Sequence, residues 1–306
     1  MNFETLHNPN TGSFAAFIAD NMRWPFPVVR EKYARGRTLL ICGAGPSLRD
    51  GVEYIQRGVD DVWGCNSALN WLTDNEHRVT HGVTVDQSER MFDMWAKAPD
   101  VIYYLASSVH PGLVSTLVKQ RRTKIAFFHS FTSVEGEGDL YMKWCSVRGP
   151  TICVGDGLNT VNRAVDVAGY LGYRKIYVAG ADCAFGADGS FHADESHETP
   201  GKVVHTASPE FLDMIGADRP WDTSADMLMS AIDLVKKQRL IGDKLEFVGD
   251  TLPNAMRDLN DEILDRCMRW ATREEVDANC SHPKVSDNGR RPESASLTTG
   301  DAIDGH

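Results

Sequence analysis

The feature that most constrains this chain is a repeating unit: a short apolar run that stops at glycine, asparagine or aspartate, followed by a helical stretch. The clearest case is Thr38-Leu39-Leu40-Ile41-Cys42, which runs into Gly43-Ala44-Gly45-Pro46-Ser47. Five apolar or small residues ending in a glycine turn read as a buried strand. Ser47 is then placed to cap a helix reaching about Gln56. The pattern recurs at Asp61–Cys65, His81–Val85, Val101–Leu105, Lys124–Phe128, Thr151–Val154, Lys175–Ala179 and Lys244–Val248. Helices are predicted near 67–72, 88–96, 160–171, 225–240 and 261–272. Strand and helix alternating over short connections imply an α/β chain, a Rossmann-like and mostly parallel sheet with helices on both faces.

Three segments break the rhythm. Residues 1–36 read as an N-terminal extension, because Trp24-Pro25-Phe26-Pro27 cannot continue a helix. Residues 129–150 and 183–222 read as lid-like insertions in a domain spanning 37–280. From Ser281 the composition turns to Ser, Thr, Gly, Asp and Pro, so 281–306 is expected to be a disordered tail.

Composition excludes some classes. A net charge of -11 argues against nonspecific nucleic-acid binding, which needs a basic surface. No apolar stretch approaches the ~20 residues of a membrane span. The first twenty residues lack a signal-peptide pattern. Seven cysteines, an odd number without a Cys-x-x-Cys pair, suit buried thiols in a reducing compartment. A cytoplasmic protein without a membrane or nucleic-acid partner is the expectation.

In open parallel sheets, ligands bind at the carboxyl ends of the strands. That rule collects the candidates along one rim. Gly43, Ala44, Gly45, Pro46 and Ser47 offer close backbone approach and a helix N-terminus for a phosphate. The third glycine of the dinucleotide fingerprint and the Gly-Lys-Ser/Thr of a Walker loop are both missing. The alternative is a tight turn capped by Ser47. Asn66, after the second strand, can read a base or ribose edge, or simply hold a turn. Asp86 and Asp182 each follow a strand. Together they can share Mg²⁺ with a polyphosphate, or cap helices. Gly155, Asp156 and Gly157 form a further small-residue turn. His192, His197 and His205 lie in the long loop. Their spacing matches no common zinc pattern, which leaves His192 as a candidate base or a solvated residue.

The run Leu40–Leu48 resembles the opening motif of the 6-hydroxymethylpterin diphosphokinase MptE-like family, which includes the flagellin-modifying motility accessory factors. Asp156–Thr160, Ala164–Ala168 and Leu171–Asp182 are similar to its second block. Phe185 and His192 are similar to residues that follow it, and Phe247–Thr251 to a C-terminal strand. Bacterial Rossmann-like sialyltransferases carry a similar first turn and a later Cys-Asn pair, here Cys65-Asn66. One departure is Leu252-Pro253-Asn254-Ala255, which stands where the family has a glycine-rich segment.

The resemblance implies a nucleotide-dependent transferase. The expected reaction is diphosphate transfer from ATP to an acceptor hydroxyl, with Mg²⁺ at Asp182 and Asp86 and with His192 and Asp182 as catalytic residues. Glycosyl transfer from a CMP-type or other nucleotide-activated sugar to a small-molecule or sugar acceptor is the alternative. A nucleotide-binding protein without turnover is the third reading.

Overall fold

The strand predicted at 38–42 is the centre of the molecule, and its composition explains why. Leu39, Leu40, Ile41 and Cys42 are all fully buried. A strand apolar on both faces is stable only with helices above and below it.

The computed structural model describes residues 13–31, 33–131, 136–155, 158–186, 190, 192–193, 205–206, 209–217 and 221–281. In chain order the elements are α1 (Phe14–Asn21), β1 (Thr38–Cys42), α2 (Leu48–Gln56), β2 (Asp61–Cys65), α3 (Ser67–Asp74) and β3 (His81–Thr84). Then come α4 (Arg90–Met94), β4 (Ile102–Ala106), α5 (Pro111–Lys119), β5 (Ile125–Ser130), α6 (Glu137–Arg148), β6 (Cys153–Val154), α7 (Thr160–Leu171) and β7 (Lys175–Ala179). The remainder is β8 (His205–Thr206), α8 (Pro209–Ile215), β9 (Asp222–Thr223), α9 (Ala225–Ile241), β10 (Leu245–Phe247), α10 (Leu252–Met256) and α11 (Asp261–Ser281).

Eight strands form one sheet in the order β10-β7-β1-β2-β3-β4-β5-β6. Every pairing in it is parallel. The chain starts at β1, walks outward to β6, then returns across β1 to β7 and β10. The winding therefore reverses between β1 and β7, which makes their carboxyl ends the switch point of the sheet. β8 and β9 form a separate antiparallel pair.

Three apolar cores result among the described residues, of which one, around Leu40, Leu48 and Leu72, packs α2 and α3 against the sheet, and the other two meet beside the candidate site. The main one lies under the sheet strands and α7. A second gathers α8, α9, α10 and α11 around Phe211, Leu228, Ile232 and Leu264. Helix α9 is buried on most of its circumference, more than the one apolar face its pattern suggests.

The described parts of the segments that break the pattern hold helices and strands of their own. The segment read as an N-terminal extension packs into the main core through Phe14 and Ile18. Asn21 there donates to the carbonyls of Ser107 and Val109. Residues 129–150, expected to be a lid-like insertion, hold the end of β5 and α6, an ordinary crossover to β6. Their helix escaped notice because only Glu137 and Trp144 of its twelve residues are buried, too few for a periodic face. Within 183–222 lie β8, α8 and β9. Residues 282–306 lie outside the described residues. No described helix is long and apolar enough to cross a membrane.

The switch point is held by two glycines in mutual contact. A Cβ on Gly43 would stand 2.3 Å from the Gly180 carbonyl oxygen, and one on Gly180 would stand 2.1 Å from that of Gly43. Gly180 also sits at φ +69. Gly180→Ala combines a backbone clash with a left-handed strain. It is expected to lower the unfolding free energy by roughly 2–4 kcal/mol, read from the urea midpoint at unchanged slope. A loss under about 1 kcal/mol would mean that the two turns can part.

Candidate functional site

A cavity of about 480 Å³ opens at this switch point, within the range of small-molecule sites. Five pieces of chain build it. The turn after β1 supplies Gly43, Ala44 and Gly45. The turn after β2 supplies Cys65, Asn66 and Ser67. Leu158 to Val161 come from the start of α7, and Gly180 to Ala184 from the end of β7. Asp226, Met227 and Ser230 come from the first turns of α9, and His192 completes the wall.

The amides of Gly43, Gly45 and Ser47 in the glycine turn are already engaged within the protein. The Gly43 amide donates to Ala179 O at 2.8 Å, and that of Gly45 to Gly180 O at 2.9 Å. Pro46 has no amide hydrogen. The Ser47 amide donates to both carboxylate oxygens of Asp182, at 3.1 and 3.2 Å, and the Ser47 hydroxyl donates to Oδ2 at 3.0 Å. Ser47 therefore does not cap α2 with its own side chain. The carboxylate of Asp182, 135 residues away, occupies the positive end of the helix, where an anion is most favoured. The Ser47 oxygen in turn accepts from the Gly180 amide at 2.9 Å. Gly45 leaves no room for a side chain. A Cβ there would lie 2.2 Å from Asp182 Oδ2 and 2.9 Å from Gly180 O.

Asp182 is buried, and burial pushes its carboxyl up to about 6, against the opposing pull of the Ser47 donors; the nearby Asp50 charge adds to the rise.

Asp86 does not join it. Its carboxylate accepts from the Ser88 amide at 2.7 Å, a local turn. Three strand spacings separate β7 from β3, about 14 Å, too far for two carboxylates to share one ion. Among the described residues no three His, Cys, Asp or Glu gather as a metal site. The expected Mg²⁺ pair thus does not fit this arrangement, and no step is assigned to it. Gly155 lies off the cavity, where its carbonyl accepts from Arg163. Asp156, Gly157 and His197 lie outside the described residues, as does the His205 side chain.

Asn66 is central. Its backbone is at φ 49, ψ -119, a conformation costing of order 1–3 kcal/mol in a residue with a side chain. Trp95 Nε1 donates to its carbonyl at 3.1 Å, and Thr160 Oγ1 donates to its Oδ1 at 3.2 Å. Of four non-glycine residues with positive φ in the described chain, two, Asn66 and Cys183, line this cavity. His192 reaches the wall because the next residue, Ala193, is tied down. Its amide donates to Ala44 O at 2.8 Å, and its carbonyl accepts from Arg49 at 2.7 Å.

The N-terminal ends of α3 and α7 face the cavity, so two helix dipoles present their positive ends to it, while α9 lines it with its flank through Asp226, Met227 and Ser230. The lining named above contains no lysine or arginine, while Asp182 and Asp226 are acidic. Sequence reading missed Asn159, Thr160, Asp226 and Ser230. The last two sit in a helix whose pattern signals only core packing.

A profile of the family described as 6-hydroxymethylpterin diphosphokinase MptE-like matches residues 13–188, more than half of the chain. The chain belongs to the MptE-like family. The match covers α1 through β7 and thus the glycine turn, Asn66, Thr160 and Asp182. It ends before His192 and the α9 wall. Among solved structures, the MAf glycosyltransferase from Magnetospirillum magneticum AMB-1 is 13% identical with a TM-score of 0.56, covering 85% of this chain and 41% of that one. The MptE-like chain thus spans less than half the length of that neighbour, and the likeness is one of fold. The sialyltransferase CstII from Campylobacter jejuni, solved with cytidine-5'-monophosphate, is 16% identical with a TM-score of 0.35, covering 75% of this chain and 87% of that one. No curated protein matches the chain.

The buried carboxyl of Asp182 gives a pH signature. Its pKa lies above that of an aspartate in the unfolded chain, so the folded protein holds this proton more tightly. Its contribution is favourable at low pH and is lost as pH rises through about 6. Asp182→Asn keeps an oxygen acceptor for Ser47 without the charge. The variant is expected to melt a few degrees above the parent at pH 8, the scale of about 1 kcal/mol in a chain this size. The gap should narrow as pH falls below 6 and close near about pH 4, the ordinary aspartate range. An equal gap at both ends of that range would show that this carboxyl does not titrate there.

Proposed function

We propose that this chain is a nucleotide-dependent transferase that moves a group from a nucleotide donor to an acceptor hydroxyl, and that a nucleotide-activated sugar is the donor its cavity suits best. The observation that carries this reading is the character of the walls. Helix N-termini, hydroxyls and amides face a cavity whose described lining has two carboxylates and no cationic side chain. Such walls suit a donor with one or two phosphate charges. A triphosphate would meet repulsion from Asp182 and Asp226 without a side-chain cation to offset it.

In this mechanism Asn66 and the first turn of α7 hold the nucleotide, with Thr160 Oγ1 fixing the orientation of the Asn66 amide. His192 accepts the proton of the acceptor hydroxyl. The hydroxyl oxygen forms a bond to the anomeric carbon as the bond from that carbon to the phosphate oxygen breaks. The electron pair leaves with the nucleotide. Most of the acceleration comes from holding donor and acceptor in line, the rest from proton transfer. Asp182 acts as the fixed cap that keeps the glycine turn closed. The α9 wall and His192 lie beyond the family match, which suits them to the acceptor side.

Diphosphate transfer from ATP remains the second reading, favoured by the description of the family to which the chain belongs. There the acceptor oxygen attacks the β-phosphorus and AMP leaves.

A thermal-shift panel of ATP, CMP, GDP and UDP, each with and without Mg²⁺, separates the readings. A CMP, GDP or UDP shift that needs no metal is expected, of the size that ~2.7 kcal/mol gives at a hundredfold excess over Kd. An ATP shift that requires Mg²⁺ turns the assignment to diphosphate transfer. If none of the four stabilises the protein, both transfer readings fall. His192→Ala should leave the nucleotide shift intact. It should slow release of free nucleotide from the activated sugar by roughly 10²–10⁴-fold. An unchanged rate would remove His192 from the chemistry.

A further inference from the structure

Helices α7 and α9 meet along a seam that carries a run of polar groups over its first turns, with Ile241 packed near Gly169 beyond them. Asn159 at the cap of α7, then Asn162 and Asp166, face Ser230, Asp233 and Lys237 of α9. Both sets are spaced by three and then four residues, so each forms one stripe along its helix. Asn159 Nδ2 donates to Ser230 Oγ at 2.5 Å, and Ser230 Oγ donates to Asn162 Oδ1 at 2.6 Å. Asn162 Nδ2 donates to Ser230 O at 3.1 Å and also to the Asp233 carboxylate. Lys237 Nζ lies 2.7 Å from Asp166 Oδ2 and 3.2 Å from Asp233 Oδ2. Asn162, Ser230 and Lys237 are all buried.

This ladder stands where the main and second cores meet. α7 belongs to the main core, while α9 is buried chiefly among α8, α10 and α11. It also crosses the end of the family match, which includes α7 and stops before α9. Apolar surfaces tolerate sliding. A buried polar ladder does not, because a shift of one turn would leave a lysine and an asparagine without partners in the interior. The top rung, Asn159 and Ser230, is itself part of the cavity wall.

We infer that the ladder is a register lock, in which Asp166, Asp233 and Lys237 are positioning residues that fix the α9 wall against α7 and so set the width of the nucleotide cavity. None of the three lines the cavity. The inference rests on the reading of that cavity as a nucleotide site, and its test is built to be separable from that reading.

The variant is Asp166→Leu/Asp233→Leu/Lys237→Met, which removes all three charges at similar volume. Its melting temperature is expected within a few degrees of the parent, whereas Lys237→Met alone, leaving two half-buried carboxylates without their cation, should be less stable. Amide hydrogen exchange in the first turns of α7 and α9 should rise at least tenfold in the triple variant, with the α2 turn unchanged. Affinity for whichever panel nucleotide stabilises the parent should fall at least tenfold. The charge-swapped Asp166→Lys/Lys237→Asp variant should restore slow exchange. Parent-like exchange in the triple variant overturns the lock. So does parent-like nucleotide affinity despite fast exchange, or fast exchange in the swapped variant. If the parent binds no nucleotide in the panel, the functional reading fails while the exchange data still judge the lock.

Discussion

The structure turns on backbone meeting backbone between Gly43 and Gly180. The central pair of strands could register without them, but the turns beyond could not close on each other if either carried a side chain. That contact delivers the Asp182 carboxylate to the first amide of α2. The same contact places the mouth of the cavity between the two turns. An internal anion there has a further effect. It occupies that helix end, so a ligand anion would be received by the other helix ends that face the cavity, those of α3 and α7.

How much of this could be read beforehand depended on the kind of signal. The parallel sheet was legible because strands buried on both faces are written as unbroken apolar runs, and the glycine, asparagine and aspartate that end them mark the ligand-bearing rim. β1, β2 and β7 match their expected bounds for that reason. The site was legible only on the sheet side. Gly43, Asn66, Asp182 and His192 do share one cavity. Asp86 follows a strand in the same way, yet the strand order, which no local pattern encodes, puts it three strands away. Asp182 sits at a helix end, as the capping alternative allowed, although that helix lies 135 residues earlier. Such a pairing has no local trace. The α9 wall was invisible for another reason. Asp226 and Ser230 look like ordinary polar positions on a helix, and only the second core shows that this face is turned inward.

The chain belongs to a family described by a diphosphokinase, while its fold is like that of a glycosyltransferase, and the two descriptions divide on the donor. The division has a physical basis. Residues within the family match build one part of the cavity, while His192 and α9 lie outside it. A family description therefore speaks to one part of the cavity only. The chemistry of transfer depends on both parts, and on how firmly the later part is set against the earlier one.

The position of β1 in the sheet also bears on assembly during synthesis. Its first partner, β2, follows within twenty residues, but its other partner, β7, emerges about 130 residues later. Until then one long edge of the most apolar strand stands open, with bare amides and carbonyls able to pair with a stranger. Closing so large a loop is slow, and the intermediate is exposed to aggregation while it waits. The acidic excess of the chain then gains a second meaning: like-charged nascent chains repel each other during the interval in which that edge has no cover.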